Sequence, residues 1–94
     1  MKIDGIIWLR YISDKLEFKH NVTTEEVEET LNNKPNFRLV KKGERKGEDL
    51  YMALGRTDSG RHLAILFIYK KTKEALILSA RDMADKERKQ YGKK

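Results

Sequence analysis

Tyr51-Met52-Ala53-Leu54-Gly55-Arg56-Thr57-Asp58-Ser59-Gly60-Arg61 is the stretch that decides the fold. Leu50 to Thr57 has the apolar, aromatic character of a strand, and Asp58-Ser59-Gly60 carries the residues of a tight hairpin turn. The chain then returns as Leu63 to Tyr69, which is apolar at every position. A strand with no polar face is covered on both sides, so this run predicts the centre of a sheet. Lys70 to Lys73 turns the chain again, and Ala75 to Ala80 predicts a further apolar strand. On the other side of the hairpin, Phe37 and Leu39 alternate with Arg38 in a strand from Asn36 to Val40. Lys41 to Glu48 contains two glycines and mostly charged residues, which predicts an exposed loop.

Upstream of this meander the period changes. Ile3 to Trp8 suits a short first strand. Ile12 and Leu16, four apart, predict a short helix from about Tyr11 to Lys19, with His20-Asn21 as its C-cap. The next helix has the clearest start signal. Thr23 as N-cap and Glu26 at N3 form a capping box, and Val22 and Val27 occupy the hydrophobic-staple positions. Asn32-Asn33 before Pro35 ends it. Asp82 or Asp85 is a candidate cap for a last helix ending near Tyr91, poor in apolar residues. The order is β-α-α-β-β-β-β-α over residues 1–94, read as a single domain. An antiparallel sheet with helices packed on it is an α+β sandwich.

Composition bounds the function. Hydrophobic and charged residues each make up 38% of the chain, so the core must be small. There is no cysteine, which excludes disulfides and thiolate metal sites. No segment approaches the roughly 18 apolar residues of a membrane span, and the first residues lack a signal peptide's apolar region. The expectation is a cytoplasmic protein that needs no membrane. The net charge of +6 is unevenly spread: residues 23–33 carry four glutamates and no basic residue, whereas residues 34–46 carry six Lys or Arg against one Glu. A basic surface draws in phosphate backbones through counterion release; the plain alternative is a well-solvated surface.

Arg56, Arg61 and Arg81 gather near the predicted strand ends. Arginine grips phosphate through a planar fork, so these are the candidate phosphate ligands. The plain alternative is rim charges paired with Asp58 or Asp82. His20 is one of two side chains able to exchange protons near neutral pH. His62, at a strand start, is expected to be a surface residue. Two histidines and no cysteine predict no metal site, and no cofactor motif is present.

The same residues resemble a known family. Trp8, then Lys15-Leu16-Glu17-Phe18-Lys19-His20-Asn21-Val22 before a glutamate-rich helix, is similar to the N-terminal signature of BrnT-type toxins. That signature has a tryptophan, a spaced lysine and a Lys-His-Gly-Val run. Tyr51 to Thr57 with Gly60-Arg61 resembles the family's Tyr-x-Ala-x-Gly-x-Thr-x-x-Gly-Arg strand and turn. Ile77-Leu78-Ser79-Ala80-Arg81 resembles its Ile-Ile-Ser-Ala-Arg strand, and Glu87-Arg88 with Tyr91 its closing Glu-Arg-x-x-Tyr. Leu9-Arg10 stands where the family has Asp-Pro, and Asn21 replaces a glycine whose backbone shape Asn tolerates.

The resemblance implies a RelE-like fold and the toxin of a type II toxin–antitoxin pair. It implies metal-independent RNA cleavage and silencing by a cognate antitoxin, expected to be of ribbon-helix-helix type. Metal-free cleavage needs a base for the 2′-hydroxyl, cations for the developing charge on phosphorus and an acid for the leaving 5′-oxygen. On this reading His20, Arg61 and Arg81 surround the scissile phosphate. Tyr91 is a proton donor or base-stacking group, or else an anchor for the last helix. Lys15, Lys19, Arg56 and Arg88 bind RNA, with Arg88 also placed to meet the antitoxin. A non-catalytic RNA-binding or regulatory module, and a protein-interaction subunit with an acidic partner, are the alternatives.

Overall fold

The structure, a computed structural model, describes residues 1–93. The elements run β1 (Gly5–Ile7), α1 (Arg10–His20), α2 (Thr24–Asn32), β2 (Asn36–Lys41), β3 (Asp49–Arg56), β4 (His62–Tyr69), β5 (Glu74–Asp82) and α3 (Asp85–Gly92). The fold is α+β, in the predicted element order. The strands form one sheet in the order β1-β5-β4-β3-β2. β2 to β5 are the antiparallel meander, but β1 pairs with β5 in parallel, so the sheet is mixed and not antiparallel throughout. The apolar character of residues 3–8 carries no information on strand direction. That direction is set by where the chain leaves β1 to cross the sheet as α1.

The signals read at the C-terminus of α1 and the N-terminus of α2 operate as expected. Thr23 Oγ1 accepts from the Glu26 amide, and Glu26 Oε1 accepts from the Thr23 amide, each at 3.1 Å. Val22 and Val27 are both fully buried. Asn21 takes the left-handed conformation, at φ 52° and ψ 40°, so it ends α1 as a glycine would. At α3 the cap differs from expectation. Ala84 occupies the N-cap, and Glu87 supplies the hydrogen bond by accepting from the Ala84 amide at 2.8 Å. Asp85 is the first helical residue, and Asp82 is still in β5.

Two apolar clusters sit on opposite faces of the sheet. On one, Ile12 and Leu16 of α1 and Val27 and Leu31 of α2 pack on Ala53, Leu63, Ile65, Phe67, Ile77 and Ala80. Trp8 joins the edge of this cluster and donates its indole N–H to Glu28 Oε2 at 3.2 Å. On the other face, Leu54, Ala64 and Met83 form a smaller cluster with Met52 and Tyr91. No α3 residue is fully buried, so Tyr91 is the main apolar hold that this helix has on the sheet.

Gly55 lets α2 and the start of β2 approach β3. A Cβ there would lie 2.9 Å from both Pro35 Cβ and Thr30 Cγ2. Gly55→Ala should therefore cost about 1–3 kcal/mol through overpacking. Chemical denaturation checks this; an unchanged midpoint would mean that α2 can move away freely.

Candidate functional site

The arginines converge on the end of the sheet where β3 turns into β4 and β5 runs out. Strand alternation then sends them to different faces. Leu63 pairs with Asp82 and Ala64 with Arg81. Leu63 belongs to the α1–α2 cluster and Ala64 to the α3 cluster. Asp82 accordingly faces α1 and α2, whereas Arg81 faces α3.

Arg61 lies on the α1–α2 side, and all five of its N–H groups are engaged. Nε donates to Asp82 Oδ1 at 2.7 Å, and Nη2 to Asp82 Oδ2 and the His20 carbonyl, both at 3.2 Å. Nη1 donates to the Asn21 carbonyl at 2.7 Å and to the Glu26 carboxylate at 3.2 Å. These partners are the C-terminal carbonyls of α1, the capping residue of α2 and the end of β5. Helix C-termini present unsatisfied carbonyls and partial negative charge, which a cation meets well. Arg61 thus staples the α1–α2 corner to the sheet, and no donor remains for a phosphate. Its hydrogen bond, ahead of all other influences, holds the Asp82 carboxyl below the usual range.

Arg81 makes a two-pronged pair with Glu87, Nη1 to Oε1 at 2.7 Å and Nη2 to Oε2 at 2.8 Å. Nη1 also reaches the Asp82 carbonyl at 3.1 Å. Glu87 caps α3 as well, so this pair fixes the helix to β5. The Arg81 hydrogen bond keeps the Glu87 carboxyl below its ordinary value. On the same face Arg38 of β2 donates to Gln90 Oε1 of α3 at 2.9 Å.

The expected ring of His20, Arg61 and Arg81 about one phosphate is therefore not what the fold builds. Arg61 and Arg81 meet through Asp82, but from opposite faces. Each already grips a carboxylate. Residues 81 and 82 are consecutive in a strand, so they must point apart. His20, Lys15 and Lys19 are exposed on α1, on the Arg61 side.

The α3 side holds a second set. Arg56 is the cross-strand partner of His62, and the two close the β3–β4 hairpin. The His62 and Tyr91 rings meet edge to face, with centroids 5.8 Å apart. A shallow pocket of about 350 Å³ is lined by Gly60, Arg61, His62, Asp82, Met83 and Arg88. Burial, then the positive charges of Arg88 and Arg56, push the His62 imidazole below the ordinary histidine value. Among the described residues neither Arg56 nor Arg88 has an ion-pair partner. His62 and Arg88 thus line one shallow cleft, with Arg56 across the strand pair from His62 and the Tyr91 ring against the imidazole. The expectation for His62 was a plain surface residue. The readable signal was the hairpin itself: with a turn centred on Asp58-Ser59-Gly60, Arg56 and His62 fall opposite one another.

Among the described residues no cluster of three His, Asp or Glu side chains is placed to hold a metal ion. No helix among them is long and apolar enough to cross a membrane.

The fold and site define an α+β domain with arginines and a histidine gathered at one end of a mixed sheet. The family described as "Ribonuclease toxin, BrnT, of type II toxin-antitoxin system" matches residues 13–87, which is most of the chain. The chain belongs to this family. No curated protein matches it significantly.

Proposed function

We propose that this protein is a ribonuclease toxin that cuts RNA without a metal ion, by attack of a 2′-hydroxyl on the adjacent phosphorus. Membership of the BrnT family carries the reading. The geometry supports it at the α3 end of the sheet. Arg56 and Arg88 have no ion-pair partner among the described residues, and they receive the negative charge that builds on the phosphorane. Tyr91 protonates the leaving 5′-oxygen. Arg81 and Glu87 position α3, and with it Arg88 and Tyr91. Arg61 keeps the α1–α2 corner in place. Lys15 and Lys19 lie on the far side of the sheet, where they guide the RNA strand by charge alone. The cognate antitoxin, a small protein of ribbon-helix-helix type, silences the enzyme by covering this end of the sheet.

The test is incubation of purified protein with single-stranded RNA in excess EDTA. Cleavage to 2′,3′-cyclic phosphate and 5′-hydroxyl ends is expected, and a 2′-deoxy nucleotide at the cut site should block it. Scission that appears only after adding Mg²⁺ would overturn metal independence. Salt-sensitive RNA binding without scission would select the non-catalytic module instead.

A further inference from the structure

We infer that His62 is the base that takes the 2′-hydroxyl proton, and that the scissile phosphate sits in the cleft it shares with Arg88, beside its strand partner Arg56 and its ring neighbour Tyr91. The inference rests on the ribonuclease reading above and assigns its missing group. Three observations carry it. His62 lies directly across the β3–β4 pair from Arg56. Its ring is held edge to face by Tyr91, 5.8 Å between centroids, which fixes the imidazole's direction. It lines the same pocket as Arg88, so a phosphate drawn in by the guanidinium arrives beside the ring.

The charged groups facing His62 come from every element around it. Arg56 comes from β3, Arg88 and Tyr91 from α3, and Arg61 and Asp82 from the rim of the pocket. Arg61 and Asp82 neutralise one another at 2.7 Å, so the field at the ring is dominated by Arg56 and Arg88. Burial first, and then the charges of Arg88 and Arg56, disfavour the imidazolium, which leaves the ring ready to accept a proton at neutral pH. His20 lacks this setting. It is exposed, and its near neighbours Arg61 and Asp82 are already paired on the other side of the strand.

The step balances. The 2′-oxygen gives its proton to His62 and forms the new bond to phosphorus. The bond from phosphorus to the 5′-oxygen breaks, and that oxygen takes the proton of the Tyr91 hydroxyl. A 2′,3′-cyclic phosphate and a 5′-hydroxyl result. Solvent then carries the proton from the imidazolium back to the tyrosinate.

His62→Gln in the full chain tests the assignment. The cleavage rate should fall by about a hundredfold or more, the usual loss for a general base. Affinity for a 2′-O-methyl RNA, which binds but is not cut, should stay within about twofold. Thermal melting confirms folding. Independently of any variant, the acidic limb of the wild-type pH–rate profile should lie below the ordinary histidine value of about 6.5. The limb should disappear in His62→Gln, and added imidazole should restore part of the rate to His62→Gly. If His62→Gln cuts normally, or if the limb vanishes in His20→Gln and survives in His62→Gln, His62 is not the base. A wild-type protein that cuts no RNA overturns the ribonuclease reading itself, and the assignment with it.

Discussion

Replacing Arg61 by alanine is expected to lower stability by about 2–3 kcal/mol. Removing one partner from a fully buried pair costs about 3–5 kcal/mol. Arg61 is 24% exposed and Asp82 65% exposed, so solvent screening reduces that figure. The loss has several parts. Two α1 carbonyls lose their donor, and the carboxylates of Glu26 and Asp82 are left unneutralised at the same corner. Arg61→Lys should recover only a minor share, because an ammonium cannot span partners on three elements. The effect should depend on pH. Asp82 has a folded pKa held down by Arg61, so its contribution is complete above the unfolded carboxylate value of about 3.9. It is lost as pH falls through the lower folded value. The gap between wild type and variant in urea midpoints should therefore be wide at pH 7 and narrow sharply below about pH 4. If Arg61→Ala melts like the wild type yet no longer binds RNA, the residue is a phosphate ligand and not a staple.

The second large effect concerns activity. Arg56→Ala and Arg88→Ala together should lower the cleavage rate by at least about 10²–10³, the loss seen when a single preorganised charge-stabilising group is removed. Stability should barely change, because among the described residues neither side chain has an ion-pair partner. Binding should weaken too, with a diagnostic salt dependence. Each phosphate contact on a single strand contributes about 0.7 to the slope of log K against log salt, so losing two should flatten it by about 1.4. Lys15→Ala with Lys19→Ala should flatten the slope without touching the cleavage rate of bound RNA. Should the lysine pair, and not the arginine pair, abolish cleavage, the catalytic face would be that of α1.

These expectations differ from those drawn on the sequence in one respect, and the reason is strand geometry. Gly60-Arg61, Ala80-Arg81 and Glu87-Arg88 stand out along the chain as arginine-bearing motifs. A string of residues does not say what each arginine grips. The partners of Arg61 come from α1, α2 and β5, and that of Arg81 from α3, six positions on. Arg61 and Arg81 are consumed in joining elements, whereas Arg88, and Arg56, whose face could not be fixed without the hairpin register, have no ion-pair partner among the described residues. His62 reads as a surface residue in the sequence because it sits in no motif. Its setting is made by α3, which approaches from nearly thirty residues away along the chain.

At α1, α2 and β4 the local chemistry was written in the residues. Thr23 and Glu26 close a capping box wherever they occur at that spacing, Asn21 tolerates the left-handed turn, and an unbroken apolar run from Leu63 to Tyr69 must lie inside a sheet. These depend on neighbours within a few positions. The direction of β1, the division of Arg61 and Arg81 between two faces, and the cleft at His62 were decided only when distant segments met. Pairing and field strength depend on which charges end up within a few ångströms of one another, and that distance is a property of the packed chain alone.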